Sequence, residues 1–234
     1  MKSTIFLLFL YLSLVVSGQS VPGSAAYEVT NIDLMNPSNR LLRTKSANAY
    51  GTIGSPYVFK DFEKGNIYYA NKLRVNGTLL NYDCHNDRLE YAAGESVYLL
   101  NSSQIDYFEV FPEQDRIMLF KQVFVVKLKK RVFLEVLYDE NSTLFKRYFK
   151  EFKEADYGGA YSQDRRYDEY HDRHSYYIKT ADNELQMLKP KKKSVLEILE
   201  DKGDELEKYI KQEKPDLKTD AGLVQLIRFY DSLR

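Results

Sequence analysis

Between Pro56 and Pro190 the chain carries a single proline, Pro112, and short aromatic and β-branched runs there are separated by turn residues. Proline cannot donate to a sheet ladder, so a long segment that avoids it while favouring Tyr, Phe, Val and Ile reads as consecutive antiparallel strands. The runs are Tyr57–Phe59, Asn66–Ala70, Leu73–Val75, Thr78–Cys84, Arg88–Tyr91, Ser96–Leu100, Ile105–Phe111, Ile117–Phe120, Val123–Leu128 and Val132–Tyr138. Asn76-Gly77, between two apolar runs, predicts a two-residue hairpin turn. Residues 144–152 space Phe145, Tyr148, Phe149 and Phe152 as a helix would, but their aromatic content and the preceding turn favour a strand. Residues 155–175, polar and Tyr-rich with Gly158-Gly159, predict an exposed loop or mobile hairpin tip. Strand character returns at Tyr176–Lys179 and Glu184–Leu188.

After Pro190 the period becomes helical. Ser194, with Glu197 as its reciprocal partner, predicts the cap of one short helix, Asp204 the cap of a second, and Thr219 or Asp220 the start of a third that carries Leu223, Leu226, Ile227, Tyr230 and Leu233 on one stripe. Three short helices cannot bury themselves unaided and should dock on the sheet. The expected class is α+β: an antiparallel β-meander, roll or partly open barrel with a C-terminal cap of about three short helices.

The first residues set an address. Lys2 precedes an apolar stretch, Ile5–Val16, which closes on Val16-Ser17-Gly18 before Gln19. That stretch falls short of the ~20 residues a spanning helix needs and ends in the small residues signal peptidase favours. The expected organisation is a signal peptide at 1–18 cut between Gly18 and Gln19, a loosely ordered leader at 19–50, a β-rich body at 51–189 and a helical cap at 190–234. The expected location is periplasmic or secreted, with no transmembrane span after cleavage.

Lys plus Arg and Asp plus Glu number 34 each, which argues against a polyanion binder such as a nucleic-acid protein working through its overall field. The lone Cys84 forms no intramolecular disulfide, so stability rests on the core. Asn76, Asn101 and Asn141 each begin an Asn-x-Ser/Thr triplet, residues that turns need in any case.

The stretch Asn81-Tyr82-Asp83 with Asn86-Asp87-Arg88-Leu89-Glu90-Tyr91, together with Gly51–Pro56, Ser175-Tyr-Tyr-Ile-Lys and the closing Leu-Ile-Arg-Phe-Tyr-Asp-Ser-Leu, resembles a group of uncharacterised exported proteins of Bacteroidota-type Gram-negative bacteria. The likeness covers roughly residues 51–111 and 173–233. It implies an envelope or secreted destination and a β-rich body with a helical cap, and it carries no catalytic residue.

Four clusters hold chemistry on paper. Asp83-Cys84-His85-Asn86-Asp87 unites a thiol, an imidazole and two carboxylates, but neighbours on a strand point to opposite faces, which keeps His85 from acting as base to Cys84. His171 and His174, with Asp168, could share a helix face toward a metal, although no third nitrogen or sulfur lies nearby. Lys146, Arg147 and Lys150 interleaved with aromatics could stack single-stranded nucleic acid, but they also fit a face with aromatics inward and bases outward. Glu90, Glu95, Asp106 and Glu109 could include an acid/base pair for glycoside cleavage. Twenty Tyr and no Trp suit a contact surface for protein or glycan. The expectation is a non-catalytic binding or structural protein of the envelope, its partner an envelope protein or glycan, with no cofactor. The alternatives are a carboxylate-dependent hydrolase and an exported adaptor whose helical tail docks a partner.

Overall fold

The computed structural model describes residues 41–43, 51–112, 116–155, 167–180 and 184–234. The signal segment, the Gly18–Gln19 boundary and nearly all of the leader lie outside the described residues. The strands are β1 (Leu41–Arg43), β2 (Thr52–Ile53), β3 (Glu63–Tyr69), β4 (Arg74–Asp83), β5 (Arg88–Ala93), β6 (Ser96–Leu99), β7 (Ile105–Val110), β8 (Met118–Val125), β9 (Lys130–Asp139), β10 (Thr143–Lys153), β11 (Asp168–Lys179) and β12 (Gln186–Leu188). The helices α1 (Lys192–Ile198), α2 (Gly203–Glu213) and α3 (Asp220–Ser232) follow.

All these strands belong to one sheet in the order β1-β6-β5-β4-β3-β7-β8-β9-β10-β11-β12, with β2 added in parallel beside β11. Every other pairing is antiparallel. The path ends at β1 and β12, so this is a strand-rich α+β fold with an open sheet and three C-terminal helices. Alternation builds its inner face: Ile67, Leu80, Tyr82, Leu89, Phe108, Phe120 and Phe133 are all buried in one core. Phe108 and Phe120 stack there with ring centroids 4.8 Å apart.

A second core lies under the helices, where Tyr138, Leu144, Tyr176, Ile178 and Leu188 of the sheet meet Leu206, Leu223, Leu226, Ile227 and Tyr230. Asp231 of α3 fixes that docking by accepting from Ser142 twice, from its backbone N–H at 2.9 Å and its hydroxyl at 2.6 Å. Ser142 of the Asn141-Ser142-Thr143 triplet is thus fully buried and structural.

Several expectations are corrected. Asn76-Gly77 is not a hairpin turn: β4 runs through it, with Gly77 at φ 66 in a bulge opposite β3. The turn lies earlier, where Asn71 and Lys72 (φ 67) let the Tyr69 N–H reach the Leu73 carbonyl at 2.9 Å. Residues 168–175 are not loop but the first two thirds of β11, because their charges meet opposite charges on β10: Asp172 pairs with Lys150 directly across the ladder, and Arg173 with Glu151 on the diagonal. Gly158-Gly159 lies outside the described residues. The 144–152 stretch is the strand β10. Tyr57–Phe59 forms only an isolated bridge, Tyr57 to Asp83. Ile117–Phe120 and Val123–Leu128 are largely one strand, β8, which ends in a 3-10 turn at Val126–Leu128. Ser194 and Asp204 lie inside the first turns of α1 and α2 rather than at their caps, and the Ser194 hydroxyl accepts from the Lys189 N–H. Thr219 does cap α3, accepting from the Gly222 N–H at 3.1 Å.

Candidate functional site

The register of β10 creates the site. It pairs with β9 only from Thr143 opposite Asp139 to Lys146 opposite Glu135, yet it continues along β11 to Lys153 opposite Glu169. Beyond Lys146 the β10–β11 hairpin therefore leaves the sheet, and a fork opens between it and the first half of β9.

The tip of the β4–β5 hairpin fills this fork. Asp87, at φ 54, meets Lys130 of β9 (2.5 Å) on one side and Arg147 of β10 (3.8 Å) on the other. It also accepts from the Tyr82 hydroxyl at 3.0 Å. His85 reaches the Lys150 carbonyl through Nδ1 at 3.3 Å, and its ring lies edge-on to Tyr170.

Each polar residue of the tip has a structural partner. Asp83 accepts from the backbone N–H groups of His85 (3.1 Å) and Asn86 (3.0 Å), the usual work of Asp in a turn. Asn81 donates to the carbonyls of Phe59 (3.0 Å) and Asp61 (3.2 Å), tying down the segment before β3. Glu90 accepts from the Tyr57 hydroxyl at 2.8 Å. The stretch from Asn81 to Glu90 is thus an architectural joint between the two halves of the sheet. Cys84 is buried and donates to the Pro56 carbonyl at 3.4 Å. Burial pushes its thiol up to about 12, so it is not a thiolate at neutral pH.

Beside the joint lies a cavity of about 170 Å³ lined by Val58 and Cys84 on one wall and by Lys146, Tyr148, Phe149, Lys150, Asp172, Arg173 and His174 of β10–β11 on the other. Its cations are matched. Lys146 donates to Asp220 at the start of α3 (2.8 Å), Lys150 pairs with Asp172, and Arg173 pairs with Glu151 at 2.8 Å. Behind Tyr148, whose hydroxyl donates to Glu135 at 2.6 Å, Arg116 pairs with that same carboxylate. Burial pushes the Glu135 carboxyl above the ordinary range against the pull of Tyr148 and Arg116. Burial also acts upward on Asp220, but the hydrogen bonds from Lys146 and Tyr176 prevail and hold it below the usual aspartate range.

The structure brings Cys84, Lys146, Lys150 and His174 to one cavity, and it disperses the other candidates. Glu90 is buried against Tyr57, Glu109 accepts from Asn66 and Tyr68 across β3, and Glu95 and Asp106 are exposed; none of the four lines the cavity. His171 and His174 alternate to opposite faces of β11, because the segment is a strand and not a helix. His171 contacts Glu169 at 2.8 Å instead. Among the described residues no group of three or more His, Cys, Asp or Glu could hold a metal. The sequence offers Asp220 only as a helix start and does not single out Glu135, although Glu135 is the one charge inside the apolar run Val132–Tyr138.

The fold and cavity define an open, helix-capped β-sheet protein with a small cleft of mixed polar and apolar lining. Comparison with protein-family models, curated proteins and solved structures gives no match.

Proposed function

We propose that this chain is an exported, non-catalytic binding protein of the bacterial cell envelope, synthesised with a signal segment at 1–18 and acting in the periplasm or outside the cell. Its sheet is read as a partly open roll whose β4–β5 tip closes the fork and shapes the cleft. The observation that carries the reading is the state of the cleft's side chains. Its thiol is held protonated, its lysines are matched by carboxylates, and among the described residues of its lining the only carboxylate is Asp172. Such walls offer hydrogen bonds and contact area but no activated nucleophile and no facing carboxylate pair. The apolar start of the chain and the resemblance to exported envelope proteins support the destination. Intact-mass measurement on protein recovered from fractionated native cells tests it. A chain beginning at Gln19 in the periplasmic or extracellular fraction is expected; a cytosolic chain that retains residues 1–18 overturns the proposal.

A further inference from the structure

Resting on that reading, we infer that the cleft takes one sugar ring of a neutral oligosaccharide, and that the next ring stacks on the aromatic group formed by Phe152, Tyr170 and His85. At about 170 Å³ the cavity lies below the ~300–1,000 Å³ of pockets that enclose drug-sized ligands, which limits it to a single ring and excludes a large organic cofactor.

Charge then selects the class. Lys146 and Lys150 are answered by Asp220 and Asp172, while the Arg173–Glu151 pair projects from the opposite face of β10–β11, so an anionic ligand would have to separate a Lys–Asp pair, and a cationic one the reverse. A sugar hydroxyl both donates and accepts, and it can bridge a Lys–Asp pair without separating it. The donors are also held in place: the side chains of Lys146 and Lys150 are only 14% and 10% exposed. Lys146 is fixed further by the Tyr148 ring, 5.1 Å beneath its ammonium.

The aromatic group continues the same face. Phe152 and Tyr170 pair directly across β10–β11, one side-chain step beyond Lys150 and Asp172, a displacement of ~7 Å along the strand. Their ring centroids are 4.8 Å apart, and His85 lies 5.3 Å from Tyr170. Phe152 remains 37% exposed, a large apolar ring at the surface.

The test is titration of the full mature chain, followed by NMR shift changes and calorimetry, with cellotetraose, maltotetraose, mannotetraose and the N-acetylglucosamine tetramer, and with trigalacturonate as the acidic comparison. Saturable binding of at least one neutral probe is expected, with shifts at Tyr148, Phe152, Asp172 and His174. Phe152→Ala should weaken it about tenfold with an unchanged melting temperature, and Phe152→Tyr should restore it. Preference for the acidic probe overturns the inference, as does silence of the cleft toward every probe or identical affinity in Phe152→Ala. If the cleft is silent while the exported protein captures an envelope polypeptide, the sugar assignment fails and the binding function stands.

Discussion

Cys84 and Glu90 show how burial decides what a reactive side chain can do. A thiol pushed up to about 12 and bonded to a carbonyl should resist iodoacetamide in the native protein and react once it is denatured. Cys84→Ser should still fold, since the hydroxyl can keep the hydrogen bond to the Pro56 carbonyl; a Cys84→Ser chain that does not fold would show that the sulfur's apolar packing is needed there. Burial raises the Glu90 carboxyl above its ordinary range against the Tyr57 hydrogen bond, so the folded state holds a proton that the unfolded chain releases near ~4.3. The stability tied to this group is therefore fully present below the unfolded value and declines as pH rises through the folded one. Gln keeps the acceptor for Tyr57 without the charge. The melting temperature of Glu90→Gln should thus rise relative to wild type between pH 4 and pH 7, and a difference that does not change with pH would contradict the assignment.

Among the elements, the helical cap depends on one polar contact as well as its apolar stripe. Asp231→Ala leaves the Ser142 N–H and hydroxyl buried without their acceptor and should cost about 2–4 kcal/mol in chemical denaturation. Deleting residues 194–234 uncovers Leu144, Ile178 and Leu188, and the product should aggregate; a monomeric truncated chain with an unchanged melting temperature would make the cap a separate module. Which elements exist was legible from local pattern. The strand runs, the Thr219 cap and the amphipathic stripe of α3 all follow from neighbours in sequence. The bulge at Gly77 was not legible, because a left-handed Gly serves a hairpin turn and a bulge equally well. Nor were the first two thirds of β11, because the alternation there runs through charged residues whose partners sit on β10. The site was the least legible part: Lys146 and Asp220 are distant in sequence, and the fork depends on where β10 stops pairing with β9, which no residue pattern encodes.

At the level of the whole molecule, an open sheet whose halves diverge would expose its core, and the β4–β5 tip prevents this by bridging β9 and β10 through Asp87. The same joint borders the cleft in which, on the function proposed here, a ligand is held rather than broken. Native mass spectrometry of the mature chain incubated with solubilised envelope material tests that distinction most directly. A stoichiometric complex is expected, whose ligand is released unaltered on denaturation and whose formation survives Glu135→Gln. Consumption of an envelope component into smaller products without a stable complex, abolished by Glu135→Gln, would contradict it.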